Sequence, residues 1–161
     1  MDKFLTKFIY MKAVVILWLL VLTISVKAQK YPPVNYIGFS SSNYKTGAKS
    51  GIFHSSNAEI KIFITDTSTS KIIIIENGKT ETININRKVS SYTNYYKIAP
   101  KNDTLKIIYD IYEGLSNITK SICKITWGLF NQTVDGQDAV ITIDYEDYGK
   151  VFKLRGGKAA H

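Results

Sequence analysis

Lys71–Arg87 reads K-I-I-I-I-E-N-G-K-T-E-T-I-N-I-N-R, two β-branched apolar runs on either side of Asn77-Gly78. Both residues of that dipeptide tolerate positive φ, as the two central positions of a type I′ turn require. The stretch predicts a two-residue β-hairpin and, with it, a protein built from antiparallel strands. So short a loop also fixes the register. Glu76 falls opposite Lys79, Ile75 opposite Thr80, Ile74 opposite Glu81, Ile73 opposite Thr82 and Ile72 opposite Ile83. Because side chains alternate faces along a strand, Ile72, Ile74, Ile83 and Ile85 share one face, with Glu76, Lys79 and Glu81 towards the tip. Ile73 and Ile75 share the other face with Thr80, Thr82, Asn84 and Asn86. The second strand alternates cleanly and is expected to be half-buried. The first is apolar on both faces, which is the mark of a strand covered on both. The protein's own chain is expected to cover Ile73 and Ile75.

The chain has 161 residues, a formal net charge of +8 and one cysteine. Its beginning does not look like part of the fold. Met1–Lys12 carries Lys3, Lys7 and Lys12 against a single acid, Asp2. Ala13–Val26 is apolar, and Ala28 is a small residue before Gln29. A basic segment, a short apolar run and a small residue at its end describe a secretory signal peptide, so residues 1–28 are expected to be cleaved. An uncleaved anchor is the alternative. The apolar run is shorter than the about 20 residues of a membrane span, and no stable span is expected after cleavage. The mature chain would be secreted, periplasmic or at the cell surface. Losing four lysines and one acid leaves it 17 basic and 12 acidic residues, a net +5.

Residues 29–161 are enough for one domain with a real core. The charge is mild, and the lysines (Lys61, Lys71, Lys79, Lys97, Lys106, Lys124, Lys153) are spread along the chain. Spread lysines solvate an outer face or protect sheet edges, so nucleic acid is not expected as a partner. An exported chain with one cysteine holds no internal disulfide. Cys123, within I-T-K-S-I-C-K-I-T-W, is predicted to be a small buried apolar residue.

Strand signals recur along the rest of the chain. Gln29–Pro33 is an extended lead-in, Val34–Phe39 a short strand, Ser40–Gly51 a long polar loop, Ile52–His54 a short strand and Ser55–Asn57 a turn. Ala58–Thr65 is a strand with Ile60, Ile62 and Ile64 on one face. After the opening hairpin, Ser90–Ala99 carries Tyr92, Tyr96 and Ile98 on one face and Tyr95 on the other. Leu105–Tyr112 aligns Leu105, Ile107, Tyr109 and Ile111, and Glu113-Gly114 and Ser116-Asn117 are expected to break it. Ile118–Trp127 is a strand ending in Gly128–Phe130, and Asn131–Asp138 a loop. Ala139–Tyr145 and Lys150–Arg155 form a closing hairpin. With Tyr148-Gly149 as its turn, Tyr145 would pair with Phe152 and Ile143 with Leu154. Gly156–His161 is a tail. No stretch keeps a 3.6-residue apolar period. The fold expected is an all-β antiparallel meander of about eight to ten strands. An up-and-down barrel, lipocalin-like in shape only, is favoured because sequential hairpins need no crossing connections. A two-layer β-sandwich is the alternative.

Catalytic signals are thin. His54 is the one histidine inside the chain, and no G-x-S-x-G element accompanies it. Asp135, Asp138, Asp144, Glu146 and Asp147 cluster near the last hairpin, yet D-G-Q-D lacks the spacing of a calcium loop. Glu59, Glu76, Glu81, Asp110 and Glu113 are the strand acids from which a glycosidase pair could be drawn, but they are expected to face solvent opposite lysines. Neither metal nor cofactor is expected. Tyrosine stands out, with ten of its eleven residues after the signal segment. A face of tyrosines joins an apolar body to a polar tip, which suits sugar rings or a protein partner. Tyr92, Tyr95, Tyr96, Tyr109, Tyr112 and Trp127 are the candidate ligand-binding residues. The sequence thus points to a non-catalytic binding module for a small apolar ligand, a glycan or an envelope protein. The alternatives are a structural or interaction protein of the cell envelope without a small-molecule site and, behind both, an enzyme.

Overall fold

A computed structural model describes residues 34–45, 51–65, 69–98 and 103–159. The expected signal segment and the lead-in lie outside them. The described residues form eight strands and no helix: β1 (Val34–Lys45), β2 (His54–Phe63), β3 (Lys71–Glu76), β4 (Lys79–Ile98), β5 (Asp103–Ser116), β6 (Ile122–Val134), β7 (Gln137–Asp144) and β8 (Tyr148–Ala159). Each strand pairs antiparallel with the next, and β1 also pairs with β8, closing an up-and-down barrel in place of a sandwich. The ring is uneven, because β3 is short and the β4–β5 hairpin overhangs its neighbours.

The β3–β4 hairpin has the register that the Asn77-Gly78 turn dictates, from Glu76 opposite Lys79 through Ile72 opposite Ile83. Asn77 has φ 50° and Gly78 φ 73°, both in the left-handed region where glycine and asparagine are at home. Ile72, Ile74 and Ile83 point into the barrel and are buried. Ile73 and Ile75 point outward and are half-buried. Their cross-strand neighbours are Thr82 and Thr80 on β4 and Lys61 and Glu59 on β2, the last two bridged at 3.0 Å. The chain's own flanking side chains are therefore what these isoleucines meet.

Several boundaries differ from the sequence expectation. Ser40–Lys45 is strand, because β1 bulges at Gly38–Ser40 and continues along β8. Ser55–Asn57 belongs to β2. The predicted break at Glu113-Gly114 is absent, and β5 runs on to Ser116. Gly114 is there for space, since a Cβ on it would sit 2.7 Å from Ile83 and 3.2 Å from Ile125. The turn before β6 occupies Asn117–Lys120, so that strand starts at Ile122. Asn131–Val134 is strand, and the turn after it is the dipeptide Asp135-Gly136 (φ 50° and 72°), with Val134 opposite Gln137. The closing hairpin turns at Glu146-Asp147 instead of Tyr148-Gly149. Ile141 then pairs with Phe152 and Ala139 with Leu154. The same residues still point inward, and Tyr145 and Tyr148 stack beside the turn with centroids 4.6 Å apart. Of the expected tail, Gly156–Ala159 forms the end of β8, where Ala159 pairs with Val34.

The interior is one apolar cluster. Ala58, Ile60, Ile62, Ile72, Ile74, Ile83, Ile125, Ile141, Ile143, Phe152 and Leu154 belong to it, with Cys123 among them. Phe152 and Leu154 retain 0% of their surface. A side chain lining a ligand-sized void would keep surface that a water molecule could touch, and these do not.

Candidate functional site

The overhang of β4 and β5 forms an arm. Pairing between β3 and β4 ends at Asn84, and pairing between β5 and β6 begins at Ile107, yet β4 and β5 stay paired out to Ile98 and Asp103. Register and alternation put Tyr92, Asn94 and Tyr96 on the same face as Tyr109, Ile107 and Leu105, their direct partners. Tyr92 and Tyr109 stack with centroids 4.9 Å apart and planes 19° from parallel. Gly128, opposite Tyr109 on β6, makes room for this stack. A Cβ on Gly128 would lie 2.7 Å from the Tyr109 ring and 2.9 Å from Val140. Asn94 Nδ2 donates to the Tyr96 hydroxyl at 3.2 Å. Burial first, and then its hydrogen bond with Tyr96, raises the Tyr109 phenol above its ordinary range. Leu105 and Ile107 are buried but stand apart from the interior cluster, and so give the face an apolar floor of its own.

Of the six residues the sequence suggested, four lie on the arm and three of them share this face. Tyr92 and Tyr96 are 45% and 44% exposed on the face, with Tyr109 beneath Tyr92. Tyr95 points to the opposite side of the arm and is 67% exposed. Tyr112 and Trp127 lie inside the barrel instead. Strand parity separates them, since Tyr112 is an odd number of positions from Tyr109 and Trp127 pairs across from the inward-pointing Asp110. Trp127 meets Tyr36 edge-on at 6.3 Å. Its Nε1 makes no hydrogen bond of regular geometry. The Tyr36 hydroxyl nevertheless feels this N–H, which partly offsets the effect of burial, and the phenol is pushed up to about 12.

At the base of the arm Asp110 points inward and is buried. Its Oδ1 accepts from Lys88 Nζ at 2.6 Å and from Ser91 Oγ, and its Oδ2 accepts from the Tyr112 hydroxyl at 3.2 Å. Burial by itself would raise this carboxyl, but the hydrogen bonds of Lys88 and Ser91, the Lys88 charge and Tyr112 together hold it below the ordinary carboxylate range. Nearby, Arg87 Nε reaches Glu113 at 2.7 Å on the surface. These pairs tie β4 to β5 where the arm leaves the barrel.

Comparison with protein-family models, with curated proteins and with solved structures finds no match to this chain. Its chemistry is therefore read from its own residues.

The opposite end of the barrel carries the other polar group. Glu81, expected to face solvent, is buried. Its Oε1 accepts from Ser116 Oγ and from the Tyr145 hydroxyl, each at 2.6 Å. The hairpin register had already placed Glu81 on the isoleucine face, and that parity overrides its charge. Burial, and then the bond to Glu81, raises the Tyr145 phenol. Glu76 likewise bends inward, accepting from Ser41 and Ser56 at 3.3 Å each, with Lys150 at 3.8 Å. Glu59 and Glu113 keep the surface ion pairs expected of strand acids. Cys123 is buried and donates to the Gly114 carbonyl at 3.6 Å. Burial, with the charges of Glu81 and Asp144, pushes its thiol up to about 12. His54 is exposed at the start of β2. Among the described residues no three His, Cys, Asp or Glu side chains gather as metal ligands would.

Proposed function

We propose that the protein is an exported, non-catalytic binding module that holds a polysaccharide on the tyrosine face of the β4–β5 arm. The observation that carries this reading is the Tyr92–Tyr109 stack, seated over Gly128 and flanked by Tyr96. One face of a pyranose ring is a patch of C–H groups, and a tyrosine ring held flat and open offers the matching apolar surface. Phenol hydroxyls and Asn94 beside it supply donors and acceptors for the sugar hydroxyls. Holding the rings in place before the ligand arrives lowers the ordering entropy of binding.

Other features favour this reading over the competing ones. The packed interior leaves little room for a small apolar ligand of the kind a lipocalin-shaped barrel could enclose. A buried thiol raised to about 12 stays protonated at neutral pH and is a poor nucleophile. Glu59, Glu76, Glu81, Asp110 and Glu113 are each engaged in ion pairs or hydrogen bonds. No cofactor is invoked, and nucleic acid is not proposed as a partner.

The test is electrophoresis through gels carrying a panel of soluble polysaccharides. The wild-type protein should be retarded by at least one of them. Tyr92→Ala and Tyr96→Ala should each lose most of that retardation, while Tyr95→Ala, on the opposite side of the arm, should keep it. Retardation untouched by the Tyr92 and Tyr96 changes would sink the assignment to this face. No retardation in any gel would favour the second reading, a structural or interaction protein of the envelope, which the filled interior also suits.

A further inference from the structure

Beyond Asn84, no described strand pairs with β4 on the side that faced β3. Every residue from Asn86 to Lys97 is exposed, and among the described residues nothing lies over this edge. Bulges interrupt the strand between Ile85 and Arg87 and between Lys88 and Ser90, and from Ser90 to Ile98 its pairing with β5 is continuous. Open edges offer unpaired N–H and C=O groups to any passing strand, and proteins blunt them with charges, prolines or bulges. Ser90–Ile98, S-S-Y-T-N-Y-Y-K-I, has no proline, no bulge and a single charge, Lys97.

This edge is complementary to itself. Antiparallel pairing about a two-fold axis sets residue i opposite j and j opposite i. The middle residue of Ser90–Ile98 is Asn94. With the axis there, Tyr92 of each copy faces Tyr96 of the other, Thr93 faces Tyr95, Ser91 faces Lys97 and Ser90 faces Ile98. Every tyrosine then meets an aromatic or β-branched partner, the pairings that stabilise adjacent strands, and no like charges are opposed. Moving the axis to Thr93 drives the second strand into the Lys88–Ser90 bulge. Moving it to Tyr95 carries Ser90 and Ser91 past the end of the facing strand.

We infer that the protein forms a two-fold symmetric dimer by antiparallel pairing of the β4 edges over Ser90–Ile98, centred on Asn94. The two arms become one four-stranded sheet ordered β5-β4-β4-β5, with the barrels at its two ends. On one face, the row Tyr109–Tyr92 continues into Tyr96 and Leu105 of the second copy. The dimer rests on the backbone edge and on its sequence, and is independent of what the tyrosine face binds.

Sedimentation equilibrium of the purified protein over a range of concentrations should report twice the mass of the chain. Asn94→Lys sets two ammonium groups against each other at the axis, and Asn94→Glu sets two carboxylates. Each variant alone should sediment at the single-chain mass, and an equimolar mixture of the two should regain the doubled mass. A wild-type protein that stays at the single-chain mass at every concentration overturns the dimer and leaves the edge to an extended peptide of another protein. A variant that still dimerises as the wild type does, or a mixture that stays monomeric, overturns the pairing centred on Asn94.

Discussion

Asp110 and Glu81 show how strand parity can bury a charge and then determine its partners. Each occupies an inward position that the alternation of its strand assigns, and each is met by donors from neighbouring strands. A buried acid left without such donors would be far costlier than one left in water. The Asp110 carboxyl is held below its ordinary range, so its contribution to stability is complete above the unfolded-state value and disappears as pH falls through the folded one. Asp110→Asn should therefore cost on the order of 1–3 kcal/mol at neutral pH, the scale of a hydrogen bond to a charged group. The gap to wild type should close as the pH drops below about 4. Urea unfolding of both proteins at a series of pH values measures this, and a gap that does not change with pH would refute the role given to the charge. Cys123 behaves in the opposite sense, since its thiol is raised to about 12 and carries its proton throughout that range.

At the scale of the element, turns and glycines decided what could be read. Asn77-Gly78 announced its hairpin because long apolar runs flank it. Asp135-Gly136 makes the same kind of turn, yet the polar Asn131-Gln132-Thr133 before it concealed the strand it closes. Gly114 looked like a breaker and is a packing residue. The arm itself was half visible: the alternation in Ser90–Ala99 put Tyr92 and Tyr96 on one face, but no local pattern says that this stretch continues the hairpin strand as one β4, Lys79–Ile98, far longer than β3, Lys71–Glu76. Overhang is a comparison of neighbouring strand lengths. The seat of Tyr109 was equally hidden, because Gly128 became meaningful only once it paired opposite that residue. Gly128→Ala should force the Tyr109 ring off β6, at a cost of about 1–3 kcal/mol for overpacking. It should also weaken the tyrosine signal in near-ultraviolet circular dichroism, where the Tyr92–Tyr109 stack contributes. Loss of stability with an unchanged signal would show that the stack does not depend on this glycine.

On the scale of the whole molecule, the barrel is organised from the inside. Aliphatic residues fill it, while Glu59, Lys61, Thr80, Thr82, Lys124 and Lys153 lie on its outer side, the reverse of the alternation that a lipid-facing barrel shows. Phe152 reaches the middle of the cluster from β8 and is fully buried. Phe152→Ala should cost about 3–5 kcal/mol. If the ring is a single cooperative unit, it should lower the denaturant midpoint seen by far-ultraviolet circular dichroism and by tryptophan fluorescence to the same extent. Separate transitions would mean that the wall near Trp127 on β6 unfolds independently of β8.

The pairing of β1 with β8 also sets an order of events. β1 is the first strand of the barrel to emerge from any process that delivers the chain from its N-terminus, and its second neighbour is the last. Until β8 arrives, β1 and β7 each expose an unsatisfied backbone edge, and the interior stays open to water. Contacts so far apart in sequence form slowly, because the loop they close is costly in entropy. A chain of this topology must therefore spend its most vulnerable interval after most of its strands are already made.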